Sequence, residues 1–240
     1  MFIRTESFRS FLQLYPIVSI IGFIHIILWL FFQLPIPAIQ ILFSLLDGYN
    51  AGIANGELWR LITPIFLHIG FGHMFFNTIS LVLFAPALEK ILKKLKFAVF
   101  YLSTGIIANI ATYLFEPLDY LHIGASGAIF GLFGVYLFMV YFRRGMIDQA
   151  NSQIILSILV IGLIMTFFNS NINIIAHIFG CIGGFILAPL FIKRKGGFVH
   201  QTYYSPNPTA RFSIKKISPK HIIWLIFGLL IVIGMFFRLS

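Results

Sequence analysis

The run GASGAIFG, residues 124–131, opens an apolar stretch that continues to Phe142. A stretch of that length reaches the lower bound for crossing a bilayer as a helix. It carries a serine, Ser126, among glycines. A second run, AHIFGCIGG at residues 176–184, does the same with a histidine, His177. Polar groups at membrane depth are costly and are read first as functional. A hydroxyl paired with an imidazole is the combination from which covalent hydrolysis is built.

The rest of the chain supports the membrane reading. It has 240 residues, 59% hydrophobic and only 10% charged, which is too apolar for a soluble domain of this size. Apolar runs predict seven spans, at 16–32, 71–88, 97–115, 126–142, 152–168, 174–192 and 221–237. The expected fold is all-α and polytopic. Residues 1–15 form a cytoplasmic N-terminal segment and 16–192 a six-span core. Residues 193–220 form a basic cytoplasmic linker, and 221–240 hold a seventh transmembrane helix. No small-residue cleavage site follows the first span, so it reads as retained. No internal repeat is visible, which argues against a repeat-built transporter.

Charge gives the orientation. With the N-terminus in the cytoplasm, 15 of the 17 basic residues fall inside, and only Arg60 and Arg238 fall outside. The net charge of +10 is therefore a topology signal with affinity for anionic headgroups of the lipid bilayer, and nucleic acid is excluded as a partner. The single cysteine, Cys181, permits no intrachain disulfide and no thiolate metal cluster. Residues 34–67 join the first two spans. They hold an apolar stretch and the pair Trp59–Arg60, so this loop is expected to lie against the outer leaflet.

Four polar side chains start from the outer ends of their spans. His73 and Asn77, four apart, share one face of the second span. His68 lies just upstream. Taken singly, each reads most simply as a hydrogen-bonding contact between helices. Ser126 opens the fourth span, where Gly127, Gly131 and Gly134 make a small-residue packing pattern. On the sixth, His177, Gly180 and Gly184 share a face. Glycine packing alone explains the glycines but requires no histidine beside them. If the two glycine faces meet, Ser126 and His177 come within the ~3 Å that a nucleophile and its base need. The seven acidic residues all fall in loops or at helix ends, so a dyad is expected rather than a triad. An oxyanion then needs side-chain donors such as His73 and Asn77, together with a backbone N–H.

These motifs resemble those of the rhomboid family of intramembrane serine proteases. GASG at 124–127 resembles its nucleophile motif. The pattern of Ala176, His177, Gly180 and Gly184 resembles its base motif, and that of His68, His73 and Asn77 its oxyanion motif. Trp59–Arg60 matches its membrane-embedded first loop. The resemblance covers roughly residues 10–193.

It implies a serine endopeptidase that cuts transmembrane helices near the outer face. Ser126 is the implied nucleophile and His177 the general base. His73, Asn77 and the Ser126 amide are the implied oxyanion donors. His68, Phe130, Gly124, Gly127, Gly180 and Gly184 support the site. The implied partners are single-pass or polytopic membrane protein substrates, with small residues preferred before the cut. No cofactor or metal is implied. The fifth span and the loop at 169–173 form the implied lateral gate. Some members carry a tyrosine where this chain has Phe130, which packs on imidazole without a hydroxyl. Short loops and the lack of a large soluble domain point to a bacterial plasma membrane. The alternatives are a catalytically silent rhomboid-like scaffold that binds membrane proteins, and a solute transporter.

Overall fold

Ser7 caps the first helix, α1 (Phe8–Leu14), its hydroxyl accepting from Ser10 N at 3.3 Å. The structure, a computed structural model, describes residues 5–167 and 172–192. The linker, the seventh span and residues 168–171 lie outside the described residues. After α1 the chain breaks at Tyr15, because Pro16 disfavours helical backbone in the residue before it. Pro16 then opens α2 (Pro16–Phe32), where its missing N–H is no loss. The two axes are bent by 111°. The free amides of Ile17 and Val18 donate to the Glu89 carboxylate at 3.0 and 2.9 Å. A buried acid at the far end of another span thus caps α2, where no local side chain does.

The long connection after α2 is folded. It contains α3 (Pro37–Leu46), the two-residue strand β1 (Gly48–Tyr49), α4 (Asn50–Ala54) and two 3-10 turns. Arg60 holds it together. Its guanidinium is buried and donates to the Asp47 carboxylate at 2.7 Å and to the Ser44 and Asp47 carbonyls at 2.9 Å each, and it also pairs with Glu57. A planar fork with five donors suits such a node, and lysine does not. Burial raises the Asp47 carboxyl and the neighbouring Arg60 charge opposes that rise. Trp59 Nε1 donates to Leu45 O at 3.0 Å, tying α3 to the turn.

The remaining helices are α5 (Phe71–Leu92), α6 (Lys94–Phe115), α7 (Ser126–Phe142), α8 (Gln149–Phe167) and α9 (Ile174–Phe191). Between α6 and α7, β2 (Leu121–His122) pairs antiparallel with β1, Gly48 opposite His122 and Tyr49 opposite Leu121. Each of the first six spans expected from the sequence is a helix. Helices α5, α6 and α8 run three or four residues further at their charged or polar ends than expected, starting or stopping at Leu92, Lys94 and Gln149. Helical hydrogen bonding does not stop where hydrocarbon does, and lysine stems reach the interface from the added turn.

By length and composition, α5, α6 and α9 each suffice to cross a membrane, and the bent α1–α2 pair is a fourth apolar element. Helices α7 and α8 present shorter apolar stretches. Every residue of α7 from Gly127 to Met139 is buried, so protein rather than lipid surrounds that part of it. The chain is thus a polytopic helical membrane protein with α7 at its centre.

The tightest contact is between α7 and α9. A Cβ on Gly180 would overlap the Gly127 carbonyl, one on Gly184 the Gly131 carbonyl, and one on Gly134 the Cys181 carbonyl. The two backbones therefore touch along three successive levels, as small-residue motifs in membrane helices allow. Gly184→Ala is expected to cost about 1–3 kcal/mol by overpacking and to lower the melting temperature in detergent. Gly72→Ala, where a Cβ meets nothing within 4 Å, should leave that temperature unchanged or slightly raised, the comparison being made by thermal unfolding of the purified protein.

Candidate active site

The α7–α9 contact decides where Ser126 and His177 stand. Gly127 abuts both Ala176 and Gly180 across that contact. Ser126 precedes Gly127 and His177 follows Ala176, so both emerge at the same end of the helix pair. Helix α5 begins at that end too, and brings His73 and Asn77 in its first two turns. All four side chains line one cavity of about 650 Å³. Its other walls include Tyr120, Leu121, His122, Ile172 and Asn173. No carboxylate is among the described lining residues.

The histidine ring is held on two sides. Phe130 stacks on it with centroids 4.1 Å apart and planes at 17°. Thr166, fully buried on α8, places its Oγ1 2.8 Å from His177 Nδ1. The start of α9 is fixed by Asn173. Its Oδ1 accepts from Ala176 N at 2.8 Å as an N-cap, and its Nδ2 donates to Thr112 Oγ1 of α6 at 2.9 Å. The turn bearing His177 is thereby pinned to α6, one of the long helices.

In the loop before Ser126, Gly124 has φ +120°, a region that favours glycine. A Cβ there would come 2.5 Å from His73 Nε2. The glycine lets the backbone before Ser126 close against the imidazole of His73. Gly124 N also donates to Pro64 O at 2.8 Å, which ties this loop to the folded connection. Asn77 donates through Nδ2 to His73 O at 2.8 Å, a bond back along its own helix that uses one of two amide protons.

His68 does not line the cavity. It is buried between His73 and His25, with ring centroids 5.0 and 4.7 Å away at steep angles. His25 is in turn 3.3 Å from Thr78 Oγ1 through Nδ1. His122 forms part of the cavity wall, and burial holds its imidazole down to about 4. Sequence reading passed over Thr166, Asn173 and Asn109, whose Nδ2 donates to Leu61 O at 2.9 Å. Asn173 carried a signal, an asparagine three residues before the Ala176 amide at a helix start. Thr166 carried none.

Comparison with known proteins gives the family. Residues 55–194 match the Rhomboid domain family. The chain is 55% identical over 195 residues to the rhomboid-family protein YdcA of Bacillus subtilis (strain 168), covering 81% of this chain and 98% of that one. It is 42% identical over 150 residues to the rhomboid protease GluP of the same organism, covering 62% of this chain and 29% of GluP. It is 30% identical over 207 residues to Rhomboid-like protease 1 of Toxoplasma gondii, covering 80% and 71%.

The positive φ at Gly124 and its approach to His73 make a prediction. Gly124→Ala adds left-handed strain, about 1–2 kcal/mol, to a collision with the imidazole. A drop in thermal stability together with loss of accessibility of Ser126 to an active-site-directed probe is expected, and an alanine variant unchanged in both would mean the loop tolerates a side chain there.

Proposed function

Since the chain belongs to the rhomboid family, and its relative GluP is named a rhomboid protease, we propose that it is an intramembrane serine endopeptidase working through Ser126 and His177. The observation that carries this reading is the shared cavity. It gathers a hydroxyl, an imidazole and two further polar side chains at the common end of α5, α7 and α9.

The chemistry follows from these groups. His177 takes the Ser126 proton as the oxygen attacks the scissile carbonyl, and returns it to the leaving amine. Water then attacks the acyl-enzyme, with His177 again as base. The tetrahedral oxyanion needs donors aimed where charge develops. The Ser126 amide, the His73 ring and the second Asn77 proton are within the cavity wall for that purpose. No step in this sequence requires a cofactor.

The substrates are membrane-anchored proteins, single-pass or polytopic, whose helix unwinds near the outer face with small residues before the cut. The basic-residue distribution supports an active site facing the exterior of a bacterial plasma membrane, with the N-terminus inside. Helix α8 forms the side from which a substrate helix enters. The seventh span stands apart from the motifs in sequence and is assigned no part in the chemistry.

Ser126→Ala is expected to abolish cleavage of single-pass test substrates co-expressed with the protein while leaving its folding intact, and undiminished fragments would remove Ser126 from the mechanism. His177→Ala should prevent labelling of Ser126 by a fluorophosphonate probe. Asn77→Ala should lower kcat by about tenfold or more if the amide donates to the oxyanion, and an unchanged rate would confine it to its bond with His73.

A further inference from the structure

His177 needs a defined tautomer. As base toward Ser126 it must carry its proton on Nδ1 and present a lone pair at Nε2. Serine hydrolases with a triad secure this through a carboxylate on Nδ1. Among the described lining residues of this cavity there is no carboxylate. The Nδ1 neighbour is the hydroxyl of Thr166, 2.8 Å away and buried.

A second distance assigns the proton. Thr166 Oγ1 also lies 2.8 Å from Gly162 O, one turn back on α8, and donates to it. A hydroxyl has one proton and two lone pairs. With its proton committed to the carbonyl, it meets Nδ1 with a lone pair. Both contacts are hydrogen bonds at once only if Nδ1 carries the hydrogen. The helix carbonyl fixes the hydroxyl, the hydroxyl fixes the tautomer, and Nε2 is left as the acceptor.

The geometry points to Thr166 as the positioning residue that orients His177 in place of the missing acid. This rests on the reading of Ser126 and His177 as nucleophile and base. The same helix face supports it: a Cβ on Gly162 would sit 3.3 Å from the Phe130 ring, which itself stacks on His177. Positions 162 and 166 are one turn apart, so one face of α8 covers the ring stack and reaches Nδ1. An oriented base therefore requires α8 to be seated against α7 and α9. A neutral hydroxyl does this without placing a charge in an apolar interior, where a carboxylate would be expensive.

The test uses the full chain in micelles or bilayers. Thr166→Val keeps the shape and removes the hydroxyl; Thr166→Ser keeps the hydroxyl. Valine should lower kcat by about tenfold with KM within about twofold, and serine should restore most of the loss. With 15N-labelled histidine, the signal lost in His177→Asn identifies this imidazole. It should be Nδ1-protonated in the unaltered chain and in the serine variant, and a tautomer mixture in the valine variant. Valine with full kcat and an unchanged tautomer, a serine variant no better than valine, or an Nε2-protonated ring in the unaltered chain each overturns the assignment. An unaltered chain that cleaves no substrate and takes no probe removes the peptidase reading instead. The imidazole spectra still decide whether Thr166 sets the tautomer.

Discussion

The contact on which the rest depends is backbone against backbone between α7 and α9. Three glycines, Gly134, Gly180 and Gly184, leave no room for a side chain at the carbonyls they face. Lipid tails are as apolar as leucine, so burial alone gives membrane helices little reason to associate. Close packing supplies that reason here, and it also sets a length scale. A serine and a histidine on short side chains meet only if their helices approach this closely. The same glycines that assemble the fold therefore bring Ser126 and His177 to one cavity.

Around that contact the molecule divides into fixed and less constrained parts. The turn bearing His177 is capped by Asn173 and stapled to α6 through Thr112. The loop before Ser126 is bonded to Pro64 O and closes on His73 at a glycine. The connection after α2 is organised by Arg60, which satisfies the carbonyls of Ser44 in α3 and of Asp47 just after it, which would otherwise be stranded. Helix α8 reaches the His177 ring through Thr166 and the Phe130 ring through Gly162.

Much of this was legible in the sequence, because a bilayer punishes ambiguity. Each of the first six apolar runs became a helix, and residues such as Ser126 and His177 stood out because polar groups in hydrocarbon need a reason. What stayed hidden was whatever costs nothing locally. Thr166 satisfies its own hydroxyl on Gly162 O, so nothing marks it in an apolar span. Glu89 reads as one more charge at a helix end, yet it caps a helix 71 residues away in sequence. The pairing of β1 with β2 involves two residues on each side, too few to leave a periodic pattern. The helix Pro37–Leu46 was visible only as an apolar stretch in the connection.

Helix α7 lives in a different solvent from its neighbours. Its side chains from Gly127 to Met139 meet only protein, whereas Ile186 and Leu190 on α9 are 64% and 74% exposed to the surroundings. Trimming a lipid-facing leucine leaves a space that mobile acyl chains refill. Trimming Leu132 leaves a void that nothing refills, as in the interior of a water-soluble protein. One transmembrane segment of this chain thus obeys the substitution rules of aqueous globular cores, and the bilayer's composition should be felt by its neighbours long before it is felt there.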